Sequence, residues 1–99
     1  MRAIHLARLD KQRPALLLTR EIAILDLNKL TVAPITSTIR GIATEVRLGT
    51  ANGLDHDCVV TLDSITSIPA ADIGPVIGYL LDAQEQDLTA ALFAAFDLE

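Results

Sequence analysis

The first four-fifths of the chain alternates short apolar segments with polar breaks, and this pattern predicts five or six short strands. The segments are IHLARL (4–9), RPALLLT (13–19), TVAPIT (31–36), IATEVRL (42–48), CVVTLDSITSI (58–68) and PVIGYLL (75–81). The segment at 58–68 reads as one long strand or as two short strands broken near Asp63 and Ser64. Residues 20–30 stay open between a helical turn and a wide loop, and the Asn52-Gly53 pair predicts a hairpin turn.

From Asp82 onward the apolar residues recur at the spacing of a helix. Asp82 and Glu85 resemble a capping box at its start. The predicted apolar stripe consists of Leu88, Ala91, Leu92, Ala95 and Phe96. The predicted fold is therefore mainly β (α+β): a small antiparallel barrel or strongly bent sheet with a C-terminal helix packed on it, and residues 1–99 form one domain.

Composition adds an apolar surplus and an uneven charge distribution. The chain is 51% hydrophobic, which is rich for its size and is compatible with a self-associating face. No apolar run has the length that crosses a bilayer, and the N-terminus lacks a signal-peptide pattern, so we predict a cytoplasmic protein with no membrane partner. The net charge is −5, yet every basic residue lies in the first half, which predicts a basic surface on an acidic body, or else an ordinary mixed surface that folding redistributes. These residues are Arg2, Arg8, Lys11, Arg13, Arg20, Lys29, Arg40 and Arg47.

Several familiar kinds of site are absent from the sequence. The glycines are scattered rather than grouped in a phosphate loop, and one cysteine with two distant histidines does not make a zinc site, so we predict no metal and no cofactor. The Asp-His-Asp run at 55–57 is interpreted as a solvated turn. Cys58 is interpreted as a small core hydrophobe, and His5 as a packed or exposed strand residue.

A basic, hydroxyl-rich rim is the remaining candidate for chemistry. Arg13 opens the second predicted strand, and Thr36, Ser37 and Thr38 end the third, shortly before Arg40. Guanidinium groups, hydroxyls and backbone N–H groups at strand ends can bind phosphate oxygens. The alternative is a hydroxyl-rich turn that caps its own backbone.

Four motifs in order resemble the MazF/PemK family of toxin endoribonucleases, most closely its compact mycobacterial-type members. They are RPALLLT, then VAPITST with IRG, then GLDHDCVVTLDSITSI, and finally the amphipathic C-terminal segment. The resemblance implies a homodimer of small SH3-like barrels of the MazF/CcdB type with RNA bound between them. It also implies metal-independent, sequence-specific cutting of single-stranded RNA (mRNA, or else rRNA or tRNA) by attack of the substrate's own 2′-hydroxyl, which leaves a 2′,3′-cyclic phosphate and a 5′-hydroxyl.

The resemblance also assigns roles to individual residues. The family's RP arginine matches Arg13 and its strand-end threonine matches Thr36, which makes these two the expected catalytic pair. Arg40 matches a basic position that contacts the RNA backbone. The other expected RNA-binding residues are Lys11, Gln12, Ser37 and Thr38.

The chain departs from the family pattern ahead of Arg13. The family's long glycine-rich loop with its glutamate is reduced here to Asp10, Lys11 and Gln12. Asp10 is therefore the candidate general base. The resemblance further implies a cognate MazE-type antitoxin that blocks the groove.

Two alternatives come from other functional classes. One is a CcdB-like toxin that acts on DNA gyrase without nuclease chemistry, although the chain lacks the C-terminal tryptophan of such toxins. The other is a catalytically inactive relative that binds only RNA or an antitoxin. Loss of cleavage on substitution of Arg13 distinguishes the enzyme from both.

Overall fold

The computed structural model describes residues 1–98 as a mainly β fold with one C-terminal helix. Seven strands form an antiparallel sheet: β1 Ala3–Arg8, β2 Gln12–Leu17, β3 Lys29–Thr36, β4 Glu45–Leu48, β5 Cys58–Thr61, β6 Thr66–Pro69 and β7 Ile73–Tyr79. Helix α1 spans Glu85–Phe96. The strands lie in the order β4-β5-β3-β2-β1-β7, and β6 also pairs with β3. The predicted class is confirmed, with one strand more than the upper prediction of six.

Strand β3 is the centre of this arrangement because it pairs with three others. Its first half, Lys29 to Val32, pairs with β6, whereas Ile35 and Thr36 pair with β5. A short 3₁₀ helix at Leu62–Ser64 separates β5 from β6, as the predicted break near Asp63 requires. The sheet therefore bends along β3.

The register between β2 and β3 sets the position of the predicted site. Ala15 pairs with Pro34 and Leu17 with Val32. If this antiparallel register is continued by two residues, Arg13 faces Thr36. Pro14 lies in the part of β2 that precedes the recorded β3 pairs, so its missing N–H leaves no gap in that ladder.

Two apolar clusters fill the interior. The larger contains Ile4, Leu16, Ala33, Ile35, Val46, Leu48, Cys58, Val60, Leu62, Leu80, Leu88 and Ala91. The smaller contains Ala7, Ala15, Leu17, Leu30, Val32 and Ile68. Helix α1 packs on the larger cluster through Leu88 and Ala91, with Leu92 and Ala95 partly buried beside them. Phe96 is 57% exposed, so the predicted apolar stripe loses its last member.

The predicted capping box at Asp82 and Glu85 is wrong. Gln84 Oε1 accepts from the backbone N–H of Leu81 at 2.9 Å, while Glu85 forms an ion pair with Arg2 at 3.3 Å. Gln84 Oε1 also accepts from the side chain of the buried Asn52 at 2.6 Å. A contact with the rest of the fold thus replaces the local cap.

Strand β4 is shorter than predicted because its first residues form a clasped turn. The Glu45 carboxylate accepts backbone N–H groups from Arg40, Gly41 and Ile42, and the closest approach is 2.8 Å, to Gly41. Gly41 has a φ of +75°, which glycine adopts readily. These N–H groups are therefore unavailable to a strand ladder, and β4 begins at Glu45.

The connection between β4 and β5 is longer than a tight Asn-Gly hairpin. The two strands pair as predicted, Leu48 with Cys58, but residues 49–57 join them through a 3₁₀ helix at Thr50–Asn52. The Asn52 side chain accepts from the Gly49 N–H and donates to the Tyr79 carbonyl. This network fixes the base of the connection, so the Asn-Gly pair is a packing element rather than the hairpin tip.

The ambiguous region 20–30 contains a 3₁₀ helix at Glu21–Ala23 and then the start of β3. Ile22 and Leu25 in this region are 85% and 97% exposed. Within residues 1–98, α1 is too short for a bilayer crossing, and no other helix has the length and apolarity for one.

Candidate active site

A cavity of about 450 Å³ brings most of the predicted site residues together. Three parts of the chain form it: the start of β2, the end of β3, and the β4–β5 connection with the start of β5. The lining residues are Lys11, Arg13, Pro14, Ile35, Thr36, Ser37, Thr38, Leu54, Asp55, His56 and Cys58. The candidate site is thus built at strand ends, where the bent sheet presents them side by side.

Arg13 lies on one wall and is held by its neighbour Asp10. Its Nη2 donates to Asp10 Oδ2 at 2.9 Å, and the Arg13 side chain is 25% exposed. Its Nε is buried and has no hydrogen-bond partner among residues 1–98. Because buried polar groups are nearly always paired, this guanidinium retains hydrogen-bonding capacity for an anion.

Asp10 is an ionised partner of this guanidinium. Partial desolvation acts to raise its pKa, but the hydrogen bond from the Lys11 N–H and the charge of Arg13 outweigh it, so the pKa is lowered from its ordinary value. A carboxylate with a lowered pKa is present as the anion at neutral pH and is a correspondingly weak base.

The sequence leaves open whether Thr36 binds phosphate or caps its own turn, and its hydroxyl can do both. Its Oγ1 accepts from the backbone N–H of Thr38 at 3.2 Å, which is the self-capping turn. A hydroxyl has one proton to donate and two lone pairs to accept with. The turn uses one lone pair, and the Thr36 O–H remains free to donate into the cavity.

Two predicted RNA-binding residues lie outside this cavity. Gln12 is exposed and lines a separate depression of about 150 Å³ next to Arg8 and Asp72. Arg40 is exposed in the turn after β3, where Glu45 holds its backbone N–H. Lys11, Ser37 and Thr38 therefore line the same cavity as the expected pair, whereas Gln12 and Arg40 do not.

Cys58 forms part of the cavity but behaves as a core residue. It is 3% exposed and is the single cysteine of the chain, with a free thiol. Burial, followed by the charges of Asp57 and Asp55, raises the pKa of its thiol. A protonated, buried thiol is a poor nucleophile, which agrees with the sequence interpretation.

Asp55 and His56 are lining residues that sequence reasoning set aside as a solvated turn. The signal that could have found them is the pairing of β5 with β3. Because Thr36 pairs with Val59, the residues just before Cys58 continue past the end of β3 and approach the residues after Thr36. The histidine Nδ1 contacts the Asp55 carboxylate.

A larger, more apolar cavity of about 620 Å³ occupies another part of the molecule. Residues of β1, of the segment after β2 and of the approach to α1 line it, and it contains none of the predicted site residues. Among residues 1–98, no group of three or more histidine, cysteine, aspartate or glutamate side chains is placed to hold a metal ion. The smaller, polar cavity is thus the better candidate for phosphate chemistry.

Comparison with known proteins identifies the family of this chain. Residues 5–96 match the family model described as "PemK-like, MazF-like toxin of type II toxin-antitoxin system". The chain is 52% identical over 99 residues to "Endoribonuclease MazF3" of Mycobacterium tuberculosis (strain H37Rv), which covers 100% of this chain and 96% of that protein.

Solved structures show the same similarity. "Mycobacterium tuberculosis toxin MazF-mt6" superimposes with a TM-score of 0.96 at 52% identity, covering 98% of each chain. "Endoribonuclease in complex with its cognate antitoxin from Mycobacterial species" has the same fold, with a TM-score of 0.87 at 21% identity, and covers 98% of this chain and 93% of that one.

Proposed function

This chain belongs to the PemK-like, MazF-like family of type II toxins, and from that premise we propose that it cuts single-stranded RNA with Arg13 and Thr36 as its catalytic pair. It is a toxin endoribonuclease of a toxin–antitoxin system. In the proposed reaction the 2′-hydroxyl of the substrate attacks the adjacent phosphorus. The products are a 2′,3′-cyclic phosphate and a 5′-hydroxyl, and no metal ion takes part.

The observation that carries the proposal is the shared cavity of Arg13 and Thr36. Negative charge accumulates on the phosphate oxygens in the transition state, and donors fixed around that charge lower the barrier. Arg13 supplies a guanidinium with an unpaired Nε, and Thr36 supplies a free O–H. Removal of one such donor typically lowers the rate about 10²–10³-fold.

The remaining residues bind substrate or move a proton. Lys11, Ser37 and Thr38 line the cavity and contact phosphate and sugar oxygens near the cut bond. Gln12 and Arg40 contact nucleotides further along the strand. Asp10, ionised next to Arg13, accepts the proton of the attacking 2′-hydroxyl.

The proposal includes assembly and context. Residues 1–99 act as one toxin domain in a cytoplasmic homodimer, and a MazE-type antitoxin covers the RNA groove. Exposed apolar side chains on β7 and α1 support self-association, among them Val76, Tyr79, Phe93 and Phe96. Multi-angle light scattering on the purified toxin measures the mass, and a monomeric mass would contradict the homodimer.

A cleavage assay tests the chemistry. Antitoxin-free protein is incubated with messenger, ribosomal and transfer RNA in EDTA, and the cut ends are mapped. We expect discrete cuts with 5′-hydroxyl ends, lost in Arg13→Ala and in Thr36→Ala. The matched control is Arg47→Ala, an exposed arginine outside the cavity, which should cut like the wild type.

Two results would contradict the proposal. Absence of cutting by folded wild type on all three RNA classes would leave gyrase inhibition or RNA binding alone to be tested. Cutting only without EDTA would exclude the metal-independent route.

A further inference from the structure

The β4–β5 connection forms one wall of the cavity, and the reaction proposed above uses none of its residues. This wall contributes His56 and Asp55 to the cavity that contains Arg13 and Thr36. The histidine side chain is 60% exposed, so it is accessible to a substrate rather than enclosed in the core. A histidine in a cavity assigned to phosphate cleavage is a candidate general acid or base.

The imidazole is oriented by the neighbouring carboxylate. His56 Nδ1 contacts Asp55 Oδ1, which leaves Nε2 as the nitrogen without a hydrogen-bond partner among the described residues. When a carboxylate binds one nitrogen of an imidazole ring, a substrate can interact only with the other nitrogen. The free Nε2 is thus the atom available to a substrate oxygen.

The proposed reaction needs a proton donor for the leaving group, because the proposal above assigns Arg13 and Thr36 to the charge on the phosphate oxygens. When the bond between phosphorus and the 5′ oxygen breaks, the leaving oxygen must gain a proton or depart as an alkoxide. A guanidinium group is in general a very weak acid. Burial raises the pKa of the Cys58 thiol, which makes that thiol a poor acid.

The other titratable groups around the cavity are less suited to act as the proton donor. Besides His56 they are Lys11, Arg13, Asp55 and Cys58, with Asp10 paired to Arg13. Carboxylic acids ordinarily lose their proton well below neutral pH, and a lysine ammonium is ordinarily a weak acid. Imidazole is the side chain that ordinarily changes charge between pH 5 and 8 and serves most often as general acid or base.

The position of His56 also suits in-line displacement. In phosphoryl transfer the attacking and leaving oxygens lie on opposite sides of phosphorus, so one group cannot easily serve both. Asp10 and Arg13 lie at the β1–β2 turn, whereas His56 lies on the β4–β5 connection. Arg13 and His56 thus line different parts of the cavity, and Asp10 adjoins the first of these parts through its ion pair with Arg13.

We propose that His56, oriented by Asp55, is the general acid that protonates the 5′ oxygen, an inference that rests on the proposed function above. The 2′ oxygen forms a bond to phosphorus and its proton passes to Asp10. The bond between phosphorus and the 5′ oxygen breaks, its electron pair stays on that oxygen, and the oxygen takes the proton from His56 Nε2. The neutral imidazole then regains a proton from water, and Asp55 is a positioning residue.

A substrate with a better leaving group tests this role. Two oligonucleotides span a cut site mapped in the cleavage assay, one natural and one with sulfur in place of the bridging 5′ oxygen. A thiolate leaves without a proton, so the sulfur substrate does not need a general acid. Wild type, His56→Gln, His56→Asn and Asp55→Asn are compared on both, with His5→Gln as a matched histidine outside this cavity.

We expect His56→Gln and His56→Asn to cut the natural substrate about 10²–10⁴-fold more slowly, with little change in KM, and to cut the sulfur substrate nearly as fast as wild type. Asp55→Asn should show a smaller loss that the sulfur substrate also restores, and His5→Gln should match wild type on both substrates.

The results that would overturn the general-acid role differ from the result that would overturn the proposed function. Wild-type rates in both His56 variants would overturn the general-acid role and leave the proposed function intact. An equal loss on both substrates, in variants with wild-type circular dichroism, would also overturn it, because that result marks an effect on binding or geometry. Failure of wild type to cut either substrate would overturn the proposed function as well.

Discussion

Arg13 and Asp10 form an ion pair at 2.9 Å across the turn between β1 and β2. The pair places an anion directly beside the guanidinium proposed to bind the scissile phosphate. Asp10 therefore has two effects: it holds Arg13 in place, and it competes with the substrate for the same donor.

The first prediction concerns Asp10→Asn. This change removes the charge but keeps the shape, so we expect kcat to fall by about one order of magnitude, less than for Arg13→Ala, because a weakly basic carboxylate contributes modestly to proton transfer. KM for RNA should fall, since Arg13 is released from its partner. Steady-state kinetics with a fluorogenic oligonucleotide measure both constants, and a kcat equal to wild type would remove Asp10 from the proton transfer.

The pH dependence of this pair follows from the direction of the pKa shift. The pKa of Asp10 in the folded protein lies below its ordinary value of 3.8. Its contribution to stability is therefore fully present above that ordinary value and is lost as the pH falls through the folded-state pKa. Between pH 5 and 8 Asp10 stays ionised, so kcat/KM should show no limb in that range that Asp10→Asn removes.

The second prediction concerns the clasp at Glu45. In Glu45→Gln one acceptor oxygen is replaced by a donor, and the N–H groups of Arg40, Gly41 and Ile42 lose a charged partner. Hydrogen bonds to charged groups contribute about 1.5–3 kcal/mol, so these amides should exchange with solvent faster. The expected kinetic result is a several-fold higher KM at nearly constant kcat, because the clasp positions Arg40 rather than the proposed catalytic pair. Hydrogen exchange measures the amides, Glu21→Gln is an exposed control, and unchanged protection of residues 40–42 would contradict the clasp.

The third prediction concerns Gly78. A Cβ at this position would lie 1.8 Å from the backbone oxygen of Asn52, so the two backbones cross too closely for any side chain. Overpacking of this kind typically destabilises a fold by about 1–3 kcal/mol and occasionally more. We expect Gly78→Ala to lower Tm by roughly 10 °C or more, as measured by calorimetry. Gly49→Ala is the matched control, since its Cβ would meet only the end of the Asp57 side chain, at 3.1 Å; equal Tm values for the two variants would contradict the close approach.

The fourth prediction concerns Cys58 at alkaline pH. Burial raises the pKa of its thiol in the folded state above the ordinary value of 9.0, so the unfolded chain binds fewer protons in that range. Stability should therefore fall as the pH rises above that ordinary value, and Cys58→Ala should show less of this fall. Urea titrations between pH 8 and 10 measure the difference. Rapid alkylation of the folded protein at pH 8 would show that the thiol is more accessible than its burial indicates.

Alternation and helical spacing were sufficient to predict most of the secondary structure. Strand-length apolar segments correspond to β1, β2, β3 and β5, and the change of spacing at Asp82 marks the approach to α1. The errors lie where a side chain from elsewhere satisfies the backbone. Glu45 clasps residues 40–42 and shortens β4, and Gln84 replaces the predicted helix cap through its contact with Asn52. Such contacts depend on the tertiary fold, which local patterns do not encode.

The residues of the candidate site also fall into two groups, those predicted from the sequence and those that only the tertiary fold shows. The motif resemblance assigned Arg13 and Thr36, and the β2–β3 register, continued by two residues, accounts for their presence in one cavity. His56 required knowledge that β5 pairs with β3, a pairing between segments more than twenty residues apart in the chain. The motif resemblance therefore predicted two walls of the cavity and missed the third.

The pairing of β1 has a consequence for how a cell makes this toxin. On one side β1 pairs with β2, which follows it immediately, but its other neighbour is β7, with Ala3 set against Tyr79. A ribosome must therefore synthesise most of the chain before the strand that leads to Arg13 gains its second partner. A nascent chain has the proposed catalytic arginine early but not the sheet that holds it, so we expect cleavage competence only near the end of translation.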